Sequence, residues 1–207
     1  MSFRGTVFKL RGIKRRDYER LRSLPENDKV RMTYDRGNFV LMSPSSVHDV
    51  IRQLVGRMVD VWSEERNIPM AGRRSMTLRR RGVRRGLESD ECFYFQNVSA
   101  APMSEEIEDL ATPPDLVVEV EVWHRFRSRL PIYAALGVPE VWHWRKDILT
   151  AHHLADGTYA CTDASGALPG FPLAAAQRLL LARNDQDETA PIRGFRAFVR
   201  SRPDQGA

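Results

Sequence analysis

The segment PPDLVVEVEVWHRFRSRLPIYAALGVPEVW, at positions 113–142, constrains the fold more than any other part of the chain. Its first apolar run predicts a buried strand, residues from about 125 to 136 predict a helix that ends at Gly137, and a second strand follows. A strand, a crossover helix and a further strand normally form a parallel, right-handed pair. The segment therefore predicts an α/β fold.

The first of these strands carries acidic residues in its middle. Because side chains alternate between the two faces of a strand, Asp115, Glu119 and Glu121 share one face. Glu119 and Glu121 should lie about 7 Å apart, and two like charges in a partly dry setting raise each other's pKa unless a cation or a proton intervenes. We therefore expect a positive group beside them.

Hydrophobic patterns predict the organisation of the remaining chain. They indicate a charged helix, a β-hairpin, a long amphipathic helix, two further strands, a terminal hairpin and a late helix, in that order: residues 13–23, 30–44, 46–62, 75–97, 148–164 and 171–182. The second of the two further strands is centred on residues 91–95. These elements suffice for one domain of ordinary size.

Composition limits the classes of protein that remain. A hydrophobic content of 42% with 29% charged residues is typical of a globular protein. No run approaches the roughly 18 apolar residues that a membrane span needs, and the first residues lack the apolar region of a secretory signal. We therefore expect a cytoplasmic protein without a membrane partner, and the sequence leaves open whether it is a monomer or a homodimer.

The formal net charge of +5 comes from an excess of arginine and favours a polyanionic partner. The densest basic stretch is GRRSMTLRRRGVRRG, whose arginines are Arg73, Arg74, Arg79, Arg80, Arg81, Arg84 and Arg85. Two interpretations remain open. The stretch is either a solvated hairpin with an arginine-rich loop or an arm that contacts the phosphates of nucleic acid.

Four acidic residues are candidates for one site: Asp90 before an aromatic run, Glu119 and Glu121 in the strand, and Asp49 in the first turn of the long helix. A hard divalent cation such as Mg²⁺ takes oxygen ligands, polarises a phosphodiester and lowers the pKa of an attacking water. Spacing alone leaves a second interpretation open, in which these acids are exposed edge residues.

Some neighbouring residues also have a plain structural interpretation. Asp49 could close a capping-box-like start with Ser46, and His48 could contact the site or cap the same turn. Asp115 is favoured as a solvated turn residue at the strand entrance. Tyr133 is favoured as a core residue, because aromatic residues on a crossover helix usually cover the sheet.

Three blocks resemble the Uma-type family of putative endonucleases in order and spacing: YDRGNFVLMSPSSVHD, GLESDECFYFQN, and PPDLVVEVEVW through IYAALGVPEVWHW. The resemblance covers about residues 10–180. It implies a restriction-endonuclease-like α/β fold of the PD-(D/E)XK type, with a mixed β-sheet core flanked by helices, to which the patterns above add an N-terminal β-hairpin and a C-terminal hairpin. Residues 1–207 would form a single such domain, with a core over about 10–180 and a C-terminal extension over about 181–207.

The resemblance also implies roles for individual residues. Asp90 takes the position of the PD-type aspartate and Glu119 that of the second-strand glutamate, so both are expected to ligate Mg²⁺, or alternatively Mn²⁺. Glu121 would add a metal ligand or orient a water, and Asp49 would support the site from the helix. The expected activity is hydrolysis of DNA phosphodiester bonds.

The chain departs from the family pattern at three positions. Ser89 stands where a proline is usual, Asp49 where the pattern has glutamate, and Arg129 where relatives carry lysine. We expect Arg129 to reach back over Glu119 and to stabilise charge on the phosphate, but arginine is not a proton-transfer base. Two alternatives therefore stand beside the nuclease: an impaired protein that still binds nucleic acid, and an interaction module whose acidic face is covered by arginines from residues 73–85.

Overall fold

The computed structural model describes residues 6–27, 30–43, 45–103, 109–122, 129–184 and 187–202. Within these ranges the chain forms two β-sheets and five α-helices. The strands are β1 (Val7–Leu10), β2 (Arg31–Asp35), β3 (Asn38–Met42), β4 (Ala71–Arg73), β5 (Thr77–Arg79), β6 (Arg85–Glu88), β7 (Glu91–Tyr94), β8 (Leu116–Glu121), β9 (Glu140–Arg145), β10 (Ile148–Ala155) and β11 (Thr158–Thr162). The helices are α1 (Arg15–Arg22), α2 (Ser46–Glu65), α3 (Leu130–Leu136), α4 (Leu173–Leu181) and α5 (Thr189–Arg200).

The first sheet contains the predicted N-terminal hairpin. Its antiparallel strands follow the order β1-β3-β2-β6-β5. The hairpin turns at Arg36 and Gly37, where φ is 48° and 93°, respectively. Glycine adopts such positive φ values without a steric penalty. Gly37 therefore permits the tight turn between β2 and β3.

The second sheet contains the predicted parallel pair. Its strand order is β11-β10-β9-β8-β7-β4, with β8 and β9 parallel and the other neighbours antiparallel. The crossover helix α3 begins at Leu130, and residues 125–128 of the predicted helix lie outside the described residues. Gly137 ends α3 with φ of 77°, the left-handed conformation common after a helix.

The chain passes from the first sheet to the second at Ser89 and Asp90. The prediction of two strands within residues 75–97 was wrong, because β5, β6 and β7 are three separate strands and the last two lie in different sheets. Strand β6 pairs with β2, whereas β7 pairs with β8 and places Glu91 opposite Val118. Since β7 runs antiparallel to β8, this register brings Asp90 opposite Glu119.

Different helices cover the two faces of the second sheet. Helices α2, α4 and α5 pack on the face that presents Leu116, Val118 and Val120. Helix α3 packs on the opposite face, where Val117 and Tyr133 belong to one buried hydrophobic cluster. The alternation predicted for β8 is therefore present. None of the described helices is long and apolar enough to cross a membrane.

Candidate active site

Asp90 lies buried at the crossing between the two sheets and is only 1% exposed. Its Oδ2 atom accepts a hydrogen bond from the backbone N–H of Val120 at 2.9 Å and contacts Nε2 of His48 at 3.1 Å. Its Oδ1 atom is also buried and has no hydrogen-bond partner among the described residues. Because a buried charged oxygen without a partner is costly, Oδ1 is a candidate metal ligand.

Helix α2 brings His48 to Asp90. The N-cap of this helix is Ser45, whose hydroxyl oxygen accepts a hydrogen bond from the His48 backbone N–H at 3.3 Å. The predicted capping box of Ser46 and Asp49 was therefore wrong. Asp49 is exposed, and its Oδ1 atom lies 3.3 Å from Nδ1 of His48. Asp49 thus contacts the site through His48.

The two ring nitrogens of His48 face two carboxylates, and this arrangement controls the charge of all three groups. Burial alone would lower the pKa of His48, but the charge of Asp90 and the hydrogen bond to Asp49 raise it to about 9. Burial would likewise raise the pKa of Asp90, yet the charged His48 holds it well below its usual range. At neutral pH the imidazolium therefore donates to both carboxylates, and Asp90 stays ionised.

Glu119 lies buried on the α3 face of β8 with a donor at each oxygen. Nη1 of Arg129 donates to Oε2 at 2.5 Å, and the hydroxyl of Tyr133 donates to Oε1. Nη2 of Arg129 also donates to the backbone carbonyl of Glu88. The expected contact between Arg129 and the acidic strand is present. Tyr133 is a core residue as predicted, but its hydroxyl also belongs to the site.

Burial and ion pairing decide the charges around Glu119. Burial raises the pKa of Glu119, against the opposing effect of the Arg129 charge. Burial would lower the pKa of Arg129, but the Glu119 carboxylate raises it above its ordinary value, so the guanidinium remains charged. Burial also raises the pKa of Tyr133 well above its ordinary value. The phenol therefore remains a hydrogen-bond donor.

Glu121 lies on the same face as Glu119 but has separate partners. Its carboxylate contacts Nε2 of His143 and Nε of Arg145, each at 3.3 Å. Both partners lie on β9, which pairs with β8 in a register that places Arg145 opposite Glu121. The hypothesis that arginines from residues 73–85 cover the acidic strand was wrong for the described contacts, because Arg129 and Arg145 do so.

Asp115 does not have the solvated turn role that the sequence favoured. It is buried, and its Oδ2 atom accepts hydrogen bonds from the backbone N–H groups of Phe95 and Gln96 at 2.6 and 3.0 Å. These bonds fasten the segment after β7 to the start of β8. Asp115 is therefore a structural residue that supports the strand carrying Glu119.

Part of the arginine-rich stretch forms hydrogen bonds within the protein. Three guanidinium groups bind acceptors elsewhere in the chain: Arg73 the carbonyl of Pro102, Arg80 the carbonyl of Leu110, and Arg85 both Asp35 and the carbonyl of Pro131. Arg79 is half-buried, while Arg74, Arg81 and Arg84 are exposed. A nucleic-acid role for the seven arginines stays a prediction.

A cleft of about 890 Å³ opens between the first sheet and the α3 face of β8. Glu119, Glu121 and Arg129 line one side of it, together with Tyr133 and His143. Strands β1, β2 and β3 line the other side. The acidic strand is therefore accessible to a ligand through this cleft.

Asp90 and Glu119 fit a divalent cation in the type of atom they offer, because Mg²⁺ and Mn²⁺ prefer carboxylate oxygens. Oδ1 of Asp90 lacks a donor among the described residues, whereas both oxygens of Glu119 already accept hydrogen bonds, from Arg129 and Tyr133. Among the described residues, no group of three or more His, Cys, Asp or Glu side chains is arranged to hold a metal ion. The guanidinium of Arg129 supplies the positive charge that the acidic strand predicted.

A known protein family matches most of this chain. The family model Uma2, described as "Putative restriction endonuclease", matches residues 15–178. The chain belongs to the Uma2 family. This membership confirms the resemblance seen in the three sequence blocks. The comparison with curated proteins gave no match.

A solved structure shows the same fold as this Uma2 chain. It is the crystal structure of a putative nuclease belonging to DUF820 from Anabaena variabilis ATCC 29413. The two share 10% sequence identity with a TM-score of 0.55, over 88% of this chain and 99% of that one. The predicted restriction-endonuclease-like α/β class is therefore confirmed.

The sequence did not predict three residues as members of the site: His48, Tyr133 and His143. His48 and Tyr133 each had a structural interpretation that was equally consistent with their spacing. His143 could have been found from the parallel pairing of β8 and β9, since it lies directly opposite Glu119.

Proposed function

We propose that the protein is a metal-dependent endonuclease that hydrolyses phosphodiester bonds in DNA. The observation that carries this proposal is the pair Asp90 and Glu119, buried opposite each other on neighbouring strands beside an open cleft. Membership of the Uma2 family supports a nuclease. Carboxylates placed in this way are suited to a divalent cation and phosphate chemistry.

Asp90 and Glu119 would hold Mg²⁺ or Mn²⁺, which when bound polarises the phosphodiester and lowers the pKa of an attacking water. His48 keeps Asp90 ionised and occupies its Oδ2 atom, which leaves Oδ1 for the ion. Asp49 is a positioning residue, because it contacts His48, which in turn contacts Asp90. Glu121 lies beside His143 and would orient a water.

Arg129 would leave the Glu119 carboxylate and bind the phosphate of the substrate. In the structure Nη1 of Arg129 binds Glu119 and Nη2 binds the carbonyl of Glu88, and a phosphate entering the cleft offers oxygens that a guanidinium can bind in a bidentate manner. Movement of Arg129 to that phosphate would release Oε2 of Glu119 while Tyr133 continues to hold Oε1. Arg129 would then stabilise negative charge on the phosphate rather than transfer a proton.

One observation favours a second function, that of a nucleic-acid-binding protein without hydrolysis. Both oxygens of Glu119 already have donors from Arg129 and Tyr133, so the buried glutamate is satisfied without metal. A protein in which Arg129 never leaves Glu119 would retain the fold and the cleft but would not load the ion.

Incubation of supercoiled plasmid with purified protein in Mg²⁺, Mn²⁺ or EDTA tests hydrolysis directly. We expect nicking with either ion and none in EDTA. Glu119→Gln, purified in the same way, should be inactive, whereas Glu26→Gln at an exposed position should match the natural protein. Equal nicking by Glu119→Gln would contradict a role of Glu119 in the hydrolysis. Absence of nicking in all samples, with retained oligonucleotide binding, would favour the second function.

A further inference from the structure

Three segments that are far apart in the sequence meet at one end of the first sheet. They are the start of α1, the turn between β2 and β3, and the turn that leads into β6. The backbone N–H of Ile13 donates to the carbonyl of Gly37 at 3.1 Å, and that of Arg36 donates to the carbonyl of Arg84 at 3.0 Å. The first residue of α1 donates through its guanidinium to the carbonyl of Val83 at 3.0 Å. These bonds join the three segments into one continuous surface.

This three-turn surface, formed by residues 13–19, 35–37 and 81–85, has an excess of positive charge. It contains seven basic and three acidic residues: Lys14, Arg15, Arg16, Arg36, Arg81, Arg84 and Arg85, and Asp17, Glu19 and Asp35. A fourth acidic residue, Asp109, lies beside Arg81. Seven cations and four anions leave an excess of three positive charges, a large part of the net charge of +5 of the whole chain.

The acidic residues neutralise this surface incompletely. The Nε atoms of Arg36 and Arg85 each lie 3.0 Å from the same oxygen of Asp35, so one carboxylate serves two guanidinium groups. Lys14 and Arg84 are exposed and have no acidic partner among the described residues. Cations that are held together repel one another. The surface therefore costs stability unless an anion binds to it.

The exposed side chains of this surface suit phosphates rather than bases. Three of its arginines are more than half exposed: Arg16 at 77%, Arg36 at 63% and Arg81 at 78%. The exposed residues described on the three turns are charged residues or glycine, and none of them is aromatic. Unpaired bases need aromatic side chains on which to stack, whereas a duplex presents its phosphates outward and binds cations through them.

The three-turn surface adjoins the cleft that contains Glu119. Arg36 belongs to the surface and also lines the cleft. Arg85 donates to the backbone carbonyl of Pro131, which lines the same cleft. A duplex whose backbone lies on the three turns would therefore have the candidate active site beside it.

We propose that the three-turn surface binds the phosphate backbone of double-stranded DNA without reading its sequence. The inference rests on the proposed function, because it assigns the surface by which that nuclease holds its substrate. Lys14, Arg16 and Arg36, which lie outside the arginine-rich stretch, bind phosphates together with Arg84. The stretch itself is divided, because Arg73 lies in the second sheet and outside this surface.

Fluorescence anisotropy in EDTA measures duplex binding separately from cleavage. The probes are two labelled duplexes of unrelated sequence and one single strand, titrated with the full chain at several salt concentrations. We expect the two duplexes to bind equally, more tightly than the single strand, and more weakly as the salt concentration rises. Tighter binding of the single strand, or no binding of either duplex, would overturn the proposal. Duplex binding without plasmid nicking would reject the proposed hydrolysis and leave this inference standing.

Matched variants locate the interface. Arg84→Gln should weaken the binding of both duplexes to the same degree and lower the slope of log Kd against log salt by about 1, and the double variant Lys14→Gln/Arg84→Gln should lower it by about 2. Arg84→Lys retains the charge and should bind as the natural protein does. Arg178→Gln removes an exposed arginine of α4 and should leave the slope unchanged. Equal melting temperatures would show that all variants fold.

Three results would reject this surface. An equal loss of affinity in Arg178→Gln and Arg84→Gln would show a diffuse electrostatic effect. Natural duplex affinity and natural plasmid nicking in the double variant would reject the surface while leaving the proposed nuclease standing. Unchanged duplex affinity in the double variant, with loss of binding to phosphatidylserine vesicles, would assign the surface to an anionic membrane instead.

Discussion

The guanidinium of Arg129 lies 2.5 Å from the carboxylate of Glu119, so a protein cation already neutralises the buried glutamate of the site. The same glutamate is the residue that the family resemblance assigns to the metal. A divalent ion and Arg129 therefore compete for one carboxylate. Any ligand that attracts Arg129 away from Glu119 should strengthen metal binding, and metal should strengthen the binding of that ligand by the same factor.

Substitution of Arg129 tests whether the arginine limits hydrolysis. Arg129→Lys should raise plasmid nicking on the order of tenfold, because a compact ammonium near the attacking water can take part in proton transfer, whose full effect is roughly 10²–10⁴-fold. The comparison uses natural protein, Arg129→Lys and Arg129→Ala in Mg²⁺ and in Mn²⁺. Equal rates would show that Arg129 has no role in hydrolysis. A lower rate for the lysine variant would show that hydrolysis depends on the guanidinium.

Asp90→Asn tests the metal assignment by thermal melting. A ligand that binds only the folded state raises the melting temperature, so Mn²⁺ should stabilise the natural protein but not Asp90→Asn. Asparagine is preferred to alanine, because loss of the whole side chain would leave His48 and the Val120 N–H without a partner, at a cost on the order of 1–3 kcal/mol each.

Asp90→Ala is therefore expected to destabilise the metal-free fold. Asp156→Asn, a matched change in the turn between β10 and β11, should respond to Mn²⁺ as the natural protein does. A preserved Mn²⁺ response in Asp90→Asn would count against Asp90 as a ligand.

Tyr133→Phe removes one donor from Glu119 while retaining the packing of the ring. A hydrogen bond to a charged group contributes roughly 1.5–3 kcal/mol, so the metal-free variant should melt at a lower temperature. Mn²⁺ should restore more stability to Tyr133→Phe than to the natural protein, because the released oxygen can bind the ion. Tyr94→Phe is the control, since its hydroxyl contacts the carbonyl of Thr112 away from the site. An identical Mn²⁺ response in both variants would separate Tyr133 from the metal.

The ion pairs that attach α5 to α2 predict that the free energy of unfolding depends on pH. Glu65 accepts hydrogen bonds from Arg200 at 2.9 Å and Arg196 at 2.6 Å, and these bonds lower its pKa from 4.5 to about 2. A carboxylate with a depressed pKa stabilises the folded state above pH 4.5, and that contribution is lost as the pH falls through about 2.

The natural protein should therefore be more stable than Glu65→Gln at pH 7, and the difference should narrow at pH 3. Urea unfolding of both proteins at the two pH values measures it. Glu64→Gln is the control, because Glu64 is more exposed and, among the described residues, pairs with one arginine, Arg196. A difference that is constant with pH would show that the charge of Glu65 does not contribute to stability through these contacts.

Local patterns were enough to predict the parts of the fold whose partners are close in sequence. The crossover segment predicted the parallel pair β8 and β9, and helical spacing from Ser46 predicted α2. The division of β6 and β7 between two sheets was not predictable in this way, because their partners β2 and β8 lie far along the chain. Helix α5 lies in the predicted C-terminal extension, where Ile192, Phe195 and Val199 recur at helical intervals.

The candidate site, too, was predictable only where the evidence was local in the sequence. Asp90 and Glu119 could be named from their motifs, and Arg129 from its position before the tyrosine of the third block. The contacts of His48 and Tyr133 depend on how α2 and α3 pack against the sheet, which spacing within each helix does not determine. The catalytic and metal roles of all these residues stay predictions that the variants above will test.

Helix α5 has a consequence for how this protein is made. It lies beyond residues 15–178, yet Phe195 and Val199 are fully buried against the same core as α2. During translation, α2 leaves the ribosome long before the helix that completes its packing. The part of the apolar side of α2 that α5 covers therefore stays exposed in the nascent chain until residue 199 has emerged, which is the kind of transient exposure that recruits chaperones and favours aggregation.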